Sequence, residues 1–400
     1  MRTLFILTIL FCLLPMQMVG QKKQIQTAAD QVKSGKDLDK AITSMQGLLK
    51  DSANRQNVKI WNVLIDAYTK QYEQGNEKLY LKEKYDTAAL FTTTMNLFQS
   101  MSSLDTIDAR PNKQGQVRLK YREDHARYLN SIRPNLFSGG VYFTRNKQFE
   151  KAFAFYNEYI LSSDWPLFSS YNYREKDPLI PHAAYWAMYC GYKMGSSDHI
   201  IKYQDLAERD TSMLNFVRQY QAEAYLLRKD TVHYVQALLD GFNRYPNFAY
   251  FYPRLIDYYE SNDNHVEALK VADRALEADS TSRLFRVTRS AILLNLGRYA
   301  ESIEISQALI AENDTLAEPY YYIGLAYFNQ AIELDKVDQM DKKLRQEIMN
   351  RYQQALPYLE KYRALAPQQK QRWLYPLYTI YLNLNMGKEF DAIDKLRNQP

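Results

Sequence analysis

Glycine is scarce in this chain, with 13 among 400 residues. Few turns can then rely on a left-handed backbone, and an all-β fold, which needs many such turns, is disfavoured. Cysteine is scarcer: Cys12 and Cys190 only. Charge of one sign is lacking as well. The 51 basic residues oppose 46 acidic ones, for a net charge of +5. Spread over this length, that balance gives no reason to expect a nucleic-acid partner. Long apolar runs are missing too. The one conspicuous run, Leu4 to Leu14, is broken by Thr8 and stopped by Pro15, which is too short to span a bilayer comfortably.

That run has another use. Arg2 supplies a short positive start, and Met18-Val19-Gly20 leads into the polar Gln21-Lys22-Lys23. Residues 1–20 therefore read as a secretory signal peptide cleaved near Gly20. Cys12 follows Phe11, where lipid attachment calls for a small residue, so a lipoprotein is disfavoured. The expected location is the periplasm, or the space outside the cell, with no integral membrane span in the mature chain. Loss of Cys12 would leave Cys190 alone, with no intrachain disulfide to form.

Catalytic constellations are also missing. The histidines, His125, His182, His199, His233 and His265, include no pair at the i, i+4 spacing of a helix-borne metal site. His199, His233 and His265 read as solvated turn residues. Cys190 has no partner histidine to activate it and reads as a buried structural thiol. Ser138-Gly139-Gly140 is not followed by the Lys-Ser/Thr of a phosphate loop. Glu301 and Glu304 read as ordinary exposed charges. No cofactor, no metal and no enzymatic activity are expected.

What is abundant is tyrosine, 34 in all, within a chain that is 46% apolar. Tyrosine buries its ring and keeps its hydroxyl wet, which suits helix packing or a peptide groove. The tyrosines also mark a period. Gly324, Ser290, Ile256 and Ala222 lie 34 residues apart, as do Tyr327, Leu293, Tyr259 and Tyr225. With the first set at position 8 and the second at position 11, position 20 holds Tyr234, Ala268 and Ser302. Position 27 holds Gly241, Ala275 and Leu309. Three units, 215–248, 249–282 and 283–316, follow without a gap. Here the chain resembles the tetratricopeptide repeat, in which a unit pairs two helices with small residues at 8, 20 and 27 and an aromatic at 11. Small side chains at 8 and 20 let the paired helices approach, and one at 27 admits the next unit.

The register extends outward through inserts. Ala355 and Pro367 fall 31 and 43 residues beyond Gly324 where 12 and 24 are expected, so 19 residues are inserted in a unit 317–369. The insert is expected to be helical, with Leu334, Val337, Leu344 and Ile348 as its apolar stripe. A unit 370–400 closes the chain, with Gly387 in its turn. Upstream, units begin near Arg133 and at Pro181, separated by an extra loop from Trp165 to Pro181. Trp61, Leu64, Ile65 and Tyr68 match a further first helix; its partner near Ala88 to Leu97 comes late by about 11 residues. Asp39 to Leu49 reads as a second helix. Asp105 to Gly115 reads as a loop, with helix resuming at Val117.

The resemblance implies an all-α, right-handed superhelical solenoid of antiparallel helix pairs, about six to eight repeats with insertions. The domains expected are 21–214, with degenerate repeats, and 215–400. In this family positions 2, 5, 9 and 12 of the first helix line the concave surface. That nominates Tyr250, Asp257, Glu260, Tyr321, Leu325 and Phe328 as a protein-binding groove for an extended segment, or else as residues covered by the superhelix itself. The aromatic loop, with Trp165, Phe168, Tyr171 and Tyr173, is a second surface unless it folds back as a cap. The function expected is a non-enzymatic binding or assembly scaffold in the cell envelope. A component of an envelope uptake or secretion complex, and a hydrolase with a dispersed site, remain as alternatives.

Overall fold

A computed structural model describes residues 20–337 and 341–397. The signal-peptide assignment thus falls almost entirely outside the described residues. Among those residues there are helices and turns but no strand. The chain divides into two compact units, one ending at Thr231 and the other starting at Val232.

The first unit contains α1 (20–34), α2 (Leu38–Leu49), α3 (Val58–Tyr80), α4 (Thr87–Asp108), α5 (Arg122–Ile132), α6 (Pro134–Arg145), α7 (Phe149–Ser162), α8 (Tyr173–Lys176), α9 (Leu179–Met194), α10 (Ser197–Ile201), α11 (Gln204–Ala207) and α12 (Leu214–Leu227). The second contains α13 (Thr231–Arg244), α14 (Phe251–Ser261), α15 (His265–Ala278), α16 (Arg283–Asn295), α17 (Tyr299–Glu312), α18 (Ala317–Leu334), α19 (Lys342–Leu365), α20 (Lys370–Asn383) and α21 (Gly387–Arg397). Helices pack on their neighbours in sequence, α2 on α3, α3 on α4, α6 on α7, and α14 through α21 in succession. First helices also meet, α9 with α12, α16 with α18, and α18 with α20. This is the stacking of helix pairs that the repeat implies, since no pair can bury its apolar stripe alone.

The turn inside each pair shows the period in the backbone. Lys147, Gly195, Lys229, Asp263 and Gly297 have φ of 58, 64, 57, 53 and 71°. Each stands at position 15 of its unit, and the last four are 34 residues apart. In the final unit the left-handed residue is Asn385, at 57°. Gly387, expected in that turn, instead starts α21. Asparagine can occupy the turn because its short polar side chain tolerates the left-handed region.

The small positions do what the resemblance implies. A Cβ on Gly241, at position 27, would lie 2.3 Å from the Phe251 ring of the next first helix. Ser290 at position 8 touches Ser302 at position 20, hydroxyl to hydroxyl at 2.9 Å. Ser306 joins them at 2.8 Å from Ser290. In the unit at 181, Met188 and Ile200 occupy positions 8 and 20, and the close approach moves to Gly191, whose Cβ would meet the Ile200 backbone nitrogen at 2.6 Å.

Several boundaries differ from expectation. α4 runs to Asp108, so the loop predicted from Asp105 starts later; Asp105 is buried and paired with Arg122 at 2.7 Å. Helix resumes at Arg122 rather than Val117, because that pair and the bond from Tyr121 N–H to Asp108 fix the chain entry there. The insert after Gly324 lengthens α18 and α19 rather than adding a helix. Ile348 is buried, Leu334 and Leu344 are half-buried, but Val337 is exposed in the turn. α12 groups with the first unit, whereas the expected boundary lay between 214 and 215. Its Tyr220 packs against Tyr185, Tyr189 and Tyr192 of α9, and that contact carries it there.

Candidate protein-binding surfaces

The six nominated residues fall as two trios on different helices. On α14, Tyr250 precedes the helix and is 7% exposed, its ring under the Arg254 guanidinium at 3.8 Å. Asp257 is exposed. Glu260 is committed to structure: one carboxylate oxygen meets His265 Nδ1 at 2.9 Å and the other accepts from the Asn295 amide at 2.7 Å. On α18, Phe328 is 5% exposed and packs on Tyr352 and Tyr375. Tyr321 and Leu325 are half-buried. The Tyr321 ring meets Tyr362 at 4.7 Å and Arg372 at 4.0 Å, and Arg372 lies 3.7 Å from Glu318. Tyr250 and Phe328 are therefore core residues, not groove lining. Positions 2 and 12 sit where neighbouring aromatic and cationic side chains cover the helix.

The aromatic loop is folded inward. Phe168 is 1% exposed within a 3₁₀ turn, Pro166–Phe168, and packs on Phe98 and Trp165. Arg133 clamps the loop's far end. Its guanidinium lies between the rings of Tyr159 and Tyr173, at 3.8 and 4.0 Å, and pairs with Asp177. Asp177 also accepts from the Tyr159 hydroxyl at 2.7 Å and from the Leu179 N–H at 2.9 Å, so it starts α9 as well.

A different surface emerges on the first unit. The same positional rule, applied to the unit at 181, selects His182, Tyr185, Tyr189 and Tyr192 on α9. Together with Trp186, Phe137 of α6 and Phe216 of α12, they form a run of rings across three first helices. Phe137 stacks on His182 at 5.9 Å, Trp186 meets Tyr189 edge-on at 5.4 Å, and Tyr185 meets Phe216 at 6.5 Å. Tyr185 is buried beneath; Phe137, Trp186, Tyr189, Tyr192 and Phe216 are half-buried. Lys193 Nζ reaches over Tyr189 and Tyr192 at 5.4 and 5.3 Å. Such rings bury large area at low entropic cost and anchor protein interfaces.

His182 is fixed among them. Trp186 Nε1–H donates to His182 Nε2 at 3.1 Å, and His182 Nδ1 lies 3.1 Å from Asp210 Oδ2. The accepting Nε2 places the neutral ring's proton on Nδ1, facing the carboxylate. Burial works against the Asp210 charge, but the Ser212 hydroxyl and N–H and the His182 ring outweigh it and hold the carboxyl below its usual range. A histidine oriented by a carboxylate is the layout of a general base, but here Nε2 is already occupied by the indole. The pair orients Trp186 instead. Cys190, next in the helix, is buried, and burial pushes its thiol up to about 12, so it stays protonated at neutral pH. His199 is not a solvated turn residue: its ring packs edge-on to Phe153 at 4.4 Å and bonds Ser196.

No group of three or more metal-capable side chains occurs among the described residues, and no described helix is long and apolar enough to cross a membrane. No family model matches the chain, and no curated protein matches it. Solved structures do resemble it at low identity. The C-terminal part of a TPR repeat-containing protein from Cytophaga hutchinsonii is 12% identical, over 65% of this chain and 93% of that one, with a TM-score of 0.43. A TPR repeats protein from Bacteroides fragilis is 17% identical, over 66% and 98%, with a TM-score of 0.32. Yeast Tom70 is 13% identical, over 94% and 91%, with a TM-score of 0.29.

Proposed function

We propose that this chain is a non-enzymatic scaffold of the cell envelope that holds a protein segment against the aromatic surface of α6, α9 and α12. The observation that carries this reading is the merging of half-buried rings from three successive first helices, with Trp186 held in place by His182 and Asp210. A pre-positioned aromatic surface binds without ordering its own side chains first, which is where affinity is otherwise lost. Location in the periplasm follows from the reading of residues 1–20 as a signal peptide. Affinity capture from envelope extracts with the full chain tests the scaffold role. Trp186→Ser with Tyr189→Ser should lose the captured protein while helical content stays unchanged, and Asp257→Ala should keep it. Capture unaffected by the Trp186 and Tyr189 pair would overturn the assignment to this surface. N-terminal sequencing of the chain from the periplasmic fraction should start near Gln21.

A further inference from the structure

Away from the aromatic surface, a groove of about 510 Å³ opens between the second helices α2 and α4, floored by Leu64 and Tyr68 of α3. That volume lies within the roughly 300–1,000 Å³ range of small-ligand sites. Its α4 wall is Asn96, Gln99, Ser100 and Ser103, the i, i+3, i+4, i+7 stripe of one helix face. Asn96, Gln99 and Ser103 reach the surface and Ser100 is buried beneath them, so the exposed part of this stripe is made of amides and a hydroxyl, and α4 carries no lysine or arginine. An ordinary solvated helix face carries mixed charges instead. The Asn96 and Gln99 amides make no hydrogen bond among the described residues, and Gln46 keeps its carbonyl oxygen open after donating to the Tyr68 hydroxyl at 2.7 Å.

The opposite rim is cationic and aromatic. Lys50 and Arg55 line the groove and form no ion pair among the described residues; Arg55 Nε donates to the Leu49 carbonyl at 3.3 Å, and Asp51 turns its carboxylate to the Ala53 N–H. Trp61 Nε1–H donates to the Arg55 carbonyl at 2.8 Å, which commits the indole donor and holds the ring on the same groove. Each side-chain amide offers a donor and an acceptor in one plane, a match for adjacent hydroxyls that both donate and accept. The fixed indole offers an apolar surface for the C–H side of a sugar ring. The two cations, which have no carboxylate partner among the described residues, call for one. We infer that this groove binds an acidic oligosaccharide, with a uronate carboxylate at Lys50 and Arg55 and ring hydroxyls along Asn96 and Gln99.

Calorimetric titration of the full chain with tetragalacturonate, maltotetraose and the peptide acetyl-Gly-Ser-Asp-Glu tests this. Tetragalacturonate should bind saturably, at least about tenfold more tightly than the neutral maltotetraose and the peptide. Lys50→Ala with Arg55→Ala, and separately Asn96→Ala with Gln99→Ala, should each weaken it at least about tenfold with helical content unchanged. These positions are exposed or half-buried, so the variants keep the fold. No saturable binding up to about 10 mM, equal binding of maltotetraose, tighter binding of the peptide, or indifference to either double substitution would overturn the inference.

Discussion

Arg133 is 4% exposed and faces Asp177, whose side chain is 9% exposed. Removing one partner of a buried, hydrogen-bonded pair leaves the other charge uncompensated, which costs about 3–5 kcal/mol. Arg133→Ala should therefore lower stability in urea by about that amount. Arg133→Lys should recover little, because an ammonium cannot lie flat between Tyr159 and Tyr173. Glu158 shows the opposite case, a carboxyl that burial pushes up to about 7 from 4.5. The folded state keeps its proton where the unfolded chain has lost it. Stability falls as pH climbs through the window from 4.5 to about 7, and the loss is complete above it. Glu158→Gln should raise Tm at pH 8 and change it little at pH 4. An equal shift at both values would point to packing rather than charge.

The turns are the element most constrained by backbone. Lys229 holds φ at 57° without being glycine, a conformation that costs a side-chain-bearing residue about 1 kcal/mol or more. Lys229→Gly should stabilise by up to about 1 kcal/mol in thermal unfolding, while Gly297→Ala, at 71°, should destabilise by a similar amount. Helix contacts rank differently. A Cβ at Gly140 would meet the buried Tyr156 side chain at 2.5 Å, but one at Gly191 would meet the Ile200 backbone nitrogen at 2.6 Å, and a side chain gives way more readily than a backbone. Gly191→Ala should thus cost more than Gly140→Ala, beyond the usual 1–3 kcal/mol of overpacking. Helix pairs, their spacing and the small contact positions were legible in the sequence, because period and side-chain size are local properties. The groove was legible only in part. Position along a helix says which way Tyr250 and Phe328 point, but not that Arg254 and Tyr375 close over them. The α9 surface obeys the same rule, but with Met188 and Ile200 at positions 8 and 20 its unit shows the repeat only faintly in sequence. The turn at Asn385 carries no glycine signal, because the left-handed backbone, not the residue type, is the requirement there.

Among the described residues, helices pack mostly on others close to them in sequence. Stability in such an array is close to a sum of local terms. Leu359 is fully buried beneath Gly324 in a core that runs from Tyr320 to Ile393, so Leu359→Ala should cost about 2–5 kcal/mol. Hydrogen exchange should show protection lost over α18 to α20 and kept over α6, α7 and α9; uniform loss would show one cooperative body instead. The left-handed residue recurring at position 15 reaches further. In those five units it fixes where the chain reverses, and so which side chains of their first helices share a face. The faces of these first helices are therefore set by phase rather than by residue count. The long inserts near Trp165 and beyond Leu334 could grow or shrink over evolutionary time while the rings at Tyr185, Tyr189 and Phe216 stayed in step.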